Sequence, residues 1–182
     1  MKLILVAGTE HTDKSRLIGT AISTLNNGNG YKDFSHINFN GMESVKNSFS
    51  GLSDMKESYM NMYEDLEKVL TNSKRNAFNI ILDASFALDT HYGYVPLLTE
   101  RFFSIFKPDA ILLLENKMED FKDNPRELLK VREQQEVNRA YCIKFASQFS
   151  IPVKIMKVSK TDIKGSSKEI QDYFLAVHRA SF

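Results

Sequence analysis

The chain has 182 residues, 42% of them hydrophobic, which is enough for one domain with a real core. Its 24 basic and 23 acidic side chains leave a net charge of +1, which argues against a strongly basic nucleic-acid binder and against an acidic disordered tail. One cysteine, Cys142, excludes a disulfide scaffold and a cysteine-rich zinc site, and no apolar run approaches the roughly 18 residues of a membrane span.

Leu3 to Ala7 is a continuous aliphatic run and predicts a strand buried on both faces. The stretch is too short for a secretory leader and Gly8-Thr9-Glu10-His11 follows at once, so a cytoplasmic protein with no membrane partner is expected. Lys14 to Leu25 places Leu17, Ile18, Ala21, Ile22 and Leu25 on one helical face. After the turn-rich Asn26-Asn27-Gly28-Asn29-Gly30, Phe34 to Phe39 is a weaker strand candidate. Ser53 to Leu70 carries Met55, Tyr59, Met62, Tyr63, Leu66, Val69 and Leu70 on one stripe and predicts a helix. Ile80 to Leu82 and Ala110 to Leu114 again read as buried strands. Asn124-Pro125 is a helix start, with Asn as N-cap, and the apolar spacing runs on through Leu128, Val131, Val137, Ala140, Tyr141 and Phe145. Val153 to Val158 alternates with Lys154 and Lys157 and predicts a strand nearer the sheet edge. Ser166-Ser167-Lys168-Glu169 predicts the capping box of a last helix ending near Val177. Strands alternating with helices imply an α/β fold, a mostly parallel sheet covered on both sides, with ligands at the carboxyl ends of its strands.

The first strand leads into Gly8-Thr9-Glu10-His11-Thr12-Asp13-Lys14-Ser15 and then into a helical face. This is the G-x-x-x-x-G-K-[ST] spacing of a phosphate-binding loop, with Asp13 at the position of the second glycine. Such a loop cradles phosphates on backbone N–H groups, neutralises the outer ones with the lysine and ligates Mg²⁺ through the hydroxyl. Gly8, Thr9, Glu10, His11, Thr12, Asp13, Lys14 and Ser15 are therefore the ATP- and phosphate-binding candidates, with Lys14 also catalytic. Asp tolerates the left-handed conformation better than most residues, but a carboxylate 4 Å from a phosphate charge is repelled by roughly 4 kcal/mol at an effective dielectric of 20. Turning into solvent, or toward Lys14 or Mg²⁺, reduces that cost. The spacing alone suits an ordinary strand–turn–helix with a solvated Lys-Ser equally well. Ile80-Ile81-Leu82-Asp83 moves the balance: an apolar strand ending in an acid is where phosphate-binding α/β proteins hold Mg²⁺ or its water, so Ser15 and Asp83 are the metal candidates.

From Asp83 the sequence resembles a known family. Asp83-Ala84-Ser85-Phe86-Ala87-Leu88-Asp89-Thr90-His91-Tyr92-Gly93-Tyr94-Val95-Pro96-Leu97-Leu98 is similar to the archaeal-type adenylate kinase segment D-T-H, a basic residue, then T-P-x-G-Y-L-P-G-L-P. Lys107 to Glu115, Tyr31-Lys32 with Ile37-Asn38-Phe39, Val137-Asn138-Arg139-Ala140 and Pro152-Val153-Lys154-Ile155 match further segments in the same order, over nearly the whole chain. The resemblance implies a three-layer P-loop nucleoside monophosphate kinase fold with a five-stranded parallel sheet. It makes residues 1–182 a single domain with an acceptor-binding arm at about 40–75 and a short lid at about 120–130. It also implies the reaction ATP + AMP to 2 ADP with Mg²⁺, and the homotrimer of that family as the assembly. The family's loop reads G-x-P-G-x-G-K-[ST], so Glu10, His11 and Asp13 replace its Pro, Gly and Gly.

On the acceptor side, Gly93, Tyr94, Val95 and Pro96 keep the wall of the nucleotide pocket. The arginines that grip AMP in the family are missing: no arginine occurs between Arg16 and Arg75, and Asp89 takes the place of the later basic residue. Lys46 is a substitute in the arm, but as a point charge rather than a fork. The lid reduces to Lys122-Asp123-Asn124-Pro125-Arg126, which makes Arg126 the transition-state arginine, with Arg132 and Arg139 as secondary candidates, Arg139 on the acceptor side. These losses keep two alternatives open: a degenerate nucleotide-binding or structural relative without transfer, and a kinase for a different acceptor. His11, His36, His91 and His178 show no metal-ligand spacing, Cys142 reads as a buried structural thiol, and the dispersed Lys and Arg form no nucleic-acid patch.

Overall fold

The computed structural model describes residues 2–26, 33–48, 55–75, 78–91 and 93–180. In chain order the elements are β1 (Lys2–Gly8), α1 (Lys14–Asn26), β2 (Phe34–Asn38), α2 (Glu43–Ser48), α3 (Met55–Ser73) and β3 (Asn79–Ala84). The short strands β4 (Ala87–Thr90) and β5 (Gly93–Pro96) follow, then α4 (Glu100–Phe106), β6 (Ala110–Asn116), α5 (Pro125–Phe149), β7 (Val153–Val158) and α6 (Ile163–Arg179). The main sheet runs β2-β3-β1-β6-β7 with every pairing parallel, and β4 and β5 form a separate antiparallel pair. The expected five-stranded parallel sheet is present, and β7 lies at its edge.

The period of two along each strand divides the core. Leu3, Leu5 and Ala7 of β1 pack with Ile80 and Leu82 against Met62 and Leu66 of α3, Phe102 and Phe103 of α4, and Phe145 of α5. Ile4 and Val6 face the other side, with Leu17 and Ile18 of α1 and Ile170 and Phe174 of α6. A strand covered on both faces has no polar alternation, which is why β1, β3 and β6 read as unbroken aliphatic runs. Phe102 and Phe103 are core residues, and Cys142 is buried, with its thiol pushed up to about 12 by that burial, so it is an inert filler. Among the described residues no helix is long and apolar enough to cross a membrane.

Helix ends follow their caps. Asn124 accepts from the Glu127 N–H with Pro125 at the first position, as the sequence predicts. The last helix begins earlier than the Ser166 box implies, because Asp162 caps it by accepting from the Gly165 N–H at 2.9 Å. Ser166 and Ser167 are instead buried within α6, where Ser167 donates to the Leu17 carbonyl and ties α6 to α1. Of the turn-rich stretch before β2, Asn26 ends α1 and the rest, like the predicted start of α3 at Ser53, falls outside the described residues.

Candidate active site

β1 ends at Gly8, where a Cβ would sit 2.6 Å from the Leu114 carbonyl oxygen, so the approach of the chain to β6 admits glycine alone. Thr9 leads into a 3-10 turn over Glu10–Thr12, closed by Thr12 Oγ1 donating to the Thr9 carbonyl at 2.7 Å. Asp13 then takes a left-handed backbone (φ 52°, ψ 39°), and α1 starts at the next residue. This is the turn a second glycine would make, and Asp is one of the few other residues that visits it routinely. The Asp13 carboxylate is half exposed and lies 3.5 Å from the Arg16 guanidinium. It has turned outward, where solvent screens it and Arg16 offsets part of its charge. The first-turn N–H groups of α1 have no acceptor within the helix, and the macrodipole makes that end partly positive.

Lys14 is buried in this turn together with Thr9 and Thr12, and is only 7% exposed. Its Nζ donates to the carbonyls of Gly8 and Thr9, each at 3.2 Å, and stands 3.8 Å from Asp83 Oδ1. Ser15 Oγ donates to Asp83 Oδ2 at 2.5 Å, and Asn38 Nδ2 donates to Ser15 Oγ at 3.2 Å. The sheet register brings these together: Val6 and Asn38 flank Asp83 across β1 and β2, and Ser15 lies in the first turn of the helix covering that face. His36, two residues before Asn38, places Nε2 3.5 Å from the same Oδ2. That separation is long for a hydrogen bond, and Nε2 is buried with no hydrogen-bond partner among the described residues. Burial by itself would push the Asp83 carboxyl up, but His36, the Lys14 ammonium and the Ser15 hydroxyl outweigh it and hold the group below its ordinary value. Asp83 is therefore an anion at neutral pH, with two oxygen donors of the kind Mg²⁺ prefers, Ser15 Oγ and Asp83 Oδ2, side by side. Among the described residues no group of three or more His, Cys, Asp or Glu could hold a metal. Such a pair of donors suits a cation that arrives with phosphate oxygens of its own.

A second ring of polar groups fixes the loop. Ser85 Oγ donates to the Gly8 carbonyl at 3.0 Å, and Asn40 bridges to Ser85 in both directions at 2.9 Å. Asn116 Nδ2 donates to Thr9 Oγ1, and Gln135 accepts from the Asn116 N–H. Beside the loop lies a cleft of about 430 Å³, with His11, Thr12, Asp13 and Arg16 on one side and Asn116, Val158, Ser159, Lys160 and Ile163 on the other. Small-molecule sites are commonly about 300–1,000 Å³. At its rim, Glu127 Oε1 is 3.8 Å from His11 Nδ1 and 3.6 Å from Lys160 Nζ, and Lys160 sits over the Phe121 ring. Arg126, the residue before Glu127, is exposed and makes no hydrogen bond or ion pair among the described residues.

The expected acceptor residues sit differently. Gly93, Tyr94, Val95 and Pro96 are β5, paired with β4 so that Tyr94 lies opposite Asp89. Gly93 has φ 99°, the positive value its turn needs. The Tyr59 hydroxyl donates to the Pro96 carbonyl, and Tyr63 donates to the Leu97 carbonyl at 2.9 Å, so α3 clamps the end of the hairpin. Asp89 pairs with Lys130 at 3.2 Å and accepts from Gln134 Nε2 at 3.5 Å. The void between loop and hairpin, bounded by Thr9, Ser85, Asp89, Tyr94, Gln134 and Asn138 among others, measures about 10 Å³. That holds about one water molecule. Arg139, expected at the acceptor, is committed elsewhere: Nε and Nη2 grip the two oxygens of Glu115 at 2.7 and 2.5 Å. Glu115 is 2% exposed, and a buried carboxylate at the end of β6 requires such a partner. Lys46 is an exposed residue of α2. Sequence reasoning missed His36, Asn38, Asn40 and Asn116. For the first two a signal existed, since alternate residues of a strand share a face.

No protein-family model matches the chain, and no curated protein matches it. Among solved structures, thymidylate kinase from Ehrlichia chaffeensis superposes with a TM-score of 0.61 at 16% identity, covering 95% of this chain and 98% of that one. The chain has the P-loop kinase fold. A sugar kinase from Janibacter (TM-score 0.47, 9% identity, 98% of this chain and 94% of that one) and an apo GTPase from Pyrococcus abyssi (0.49, 15%, 99% and 79%) lie further away. Lys14, Ser15 and Asp83 stand at the carboxyl ends of β1 and β3, the end of an open α/β sheet at which ligands commonly bind.

Proposed function

We propose that this chain is a kinase that takes a Mg²⁺–ATP donor over the Gly8–Ser15 loop and passes the terminal phosphoryl group to AMP, the acceptor that the sequence resemblance implies. The observation that supports this best is the convergence of Lys14, Ser15 and Asp83 at the end of β1 and β3. Ser15 and Asp83 would hold Mg²⁺, which when bound neutralises charge on the phosphate oxygens. Lys14 exchanges the carbonyls of Gly8 and Thr9 for the outer phosphates, beside the first-turn amides of α1. Arg126, uncommitted at the start of α5, is the transition-state arginine.

A second reading keeps the donor and changes the acceptor. The fork of Arg139 is filled by Glu115, and Asp89 stands at the hairpin, so the surroundings favour an acceptor without a phosphate of its own. An ADP-production assay with AMP, CMP, UMP, GMP and dTMP, and separately with uncharged hydroxyl compounds, tests both against Lys14→Ala. Turnover with a monophosphate supports the first reading, and turnover only with uncharged acceptors supports the second. Tight Mg²⁺–ATP binding by calorimetry with no turnover would leave a nucleotide-binding relative that does not transfer. Folded protein that neither binds nor turns over would end all three.

A further inference from the structure

The proposed donor site contains one group that the phosphate-binding motif does not ask for. His36 enters from β2, on the face of the sheet covered by α1, and its Nε2 is a buried nitrogen without a hydrogen-bond partner among the described residues. It stands 3.5 Å from Asp83 Oδ2, the oxygen that also accepts from Ser15 Oγ. Two groups of different chemistry, an imidazole nitrogen and a hydroxyl oxygen, therefore both stand against one carboxylate oxygen. Two ligands each about 2.1 Å from a common ion and at 90–110° to one another lie roughly 3.0–3.5 Å apart. The spacing between His36 and Asp83 is thus long for a hydrogen bond but fits two corners of a coordination shell. The Ser15–Asp83 contact must open by about 0.5 Å to admit an ion at those bond lengths.

We propose that His36 is a third protein ligand of the cation, making this a mixed nitrogen–oxygen site that takes Mn²⁺, or a similar first-row transition ion, in preference to Mg²⁺. Mg²⁺ holds to oxygen ligands and sheds water reluctantly, whereas transition ions accept imidazole. Asn38 does not compete for this role. Its Oδ1 already accepts from the Gly41 N–H at 2.8 Å, which turns its amide nitrogen toward Ser15. The inference rests on the proposed donor site, because the remaining ligands come from the phosphate chain.

The test uses the full chain, Mn²⁺ and inorganic triphosphate, which contains no nitrogen, so any ligating nitrogen belongs to the protein. Pulsed electron paramagnetic resonance should show coupling from one directly bound ¹⁴N in the unaltered protein. The coupling should vanish in His36→Gln. Titration should show Mn²⁺ affinity with triphosphate falling by about tenfold or more in that variant, while Mg²⁺ affinity, read by competition, changes by less than about threefold. Triphosphate-dependent Mn²⁺ binding with no ¹⁴N coupling would overturn the role of His36 and leave the donor site standing. No triphosphate-dependent binding of either ion would overturn the donor site, and this inference with it. The unaltered protein alone decides the first point, so a poorly folded variant would not blunt the test.

Discussion

The two ends of the transfer path are built on different principles. On the donor side, Lys14, Ser15 and Asp83 hold one another in a network in which Lys14 also donates to two loop carbonyls, each at 3.2 Å, that a polyanion can replace. On the hairpin side the charges are already spent: Arg139 on Glu115, Asp89 on Lys130, with room for about one water between loop and hairpin. A site for a charged ligand needs buried charged groups that can exchange partners, and among the described residues Lys14 and Asp83 supply them on the donor side. The contrast makes donor binding the firmer half of the proposed function and acceptor identity the half to attack.

The largest expected effect comes from Lys14. Lys14→Ala should lower kcat by about 10²–10³, the usual loss for one preorganised donor to transition-state charge, with the fold intact by circular dichroism. An equal rate in the variant would mean that the loop network is structural. Next comes Arg139→Ala, which leaves Glu115 buried and unpaired. It should cost about 3 kcal/mol, or about 6–12 °C in Tm. The double variant Arg139→Met with Glu115→Met should recover most of that loss, because removing both charges removes the desolvation cost as well. If the double variant regains stability but loses the turnover with AMP that the unaltered protein shows, while turnover with an uncharged acceptor persists, Arg139 does reach a phosphate, and the contrast between the two sides weakens.

Asp83 gives a smaller effect with a definite sign. Its carboxyl is held below the ordinary 3.8, so the folded state binds that proton less readily than the unfolded chain does. The stability this contributes is complete above the unfolded value and is lost as pH falls through the folded one. Urea unfolding between pH 6 and pH 2 should therefore show a steeper acid limb in the unaltered protein than in Asp83→Asn. Parallel limbs would mean that Lys14, Ser15 and His36 do not favour the anion.

How much of this was legible follows from where the information lies along the chain. The loop is contiguous: Gly8, Asp13, Lys14 and Ser15 sit within eight positions, and strand before and helix after complete it. β1, β3 and β6 were legible because burial on both faces leaves an aliphatic run, β7 because its lysines alternate with apolar residues, and β2 only weakly, from the turn-rich stretch before it. The hairpin was not, since β4 and β5 have four residues each and too little alternation to register. The start of α6 was misplaced because two caps compete and Asp162 comes first. The pairing of Arg139 was hidden for a deeper reason. Its partner Glu115 is 24 residues away on another element, and no local pattern says which of two anions, a carboxylate or a bound phosphate, will claim a guanidinium.

Asp13 is where the smallest effect carries the sharpest information. Asp13→Gly restores the residue that the left-handed turn prefers, which relieves backbone strain worth at most about 1 kcal/mol. It also removes a charge that is half exposed and already partnered by Arg16. If that carboxylate is as well screened as its position implies, the gain in Mg²⁺–ATP affinity should stay below about tenfold, since exposed charges interact by only about 0–1 kcal/mol. Calorimetry at low and at physiological salt separates the two contributions: backbone relief is independent of salt, whereas charge relief shrinks as the Debye length falls. A gain much above tenfold that collapses in salt would place the carboxylate against the phosphates when ligand binds. The loop would then be one in which an acidic residue opposes the anion rather than one that merely replaces a glycine. The donor side would lose its advantage over the hairpin side, because both would carry a misplaced negative charge at the point where a phosphate has to sit.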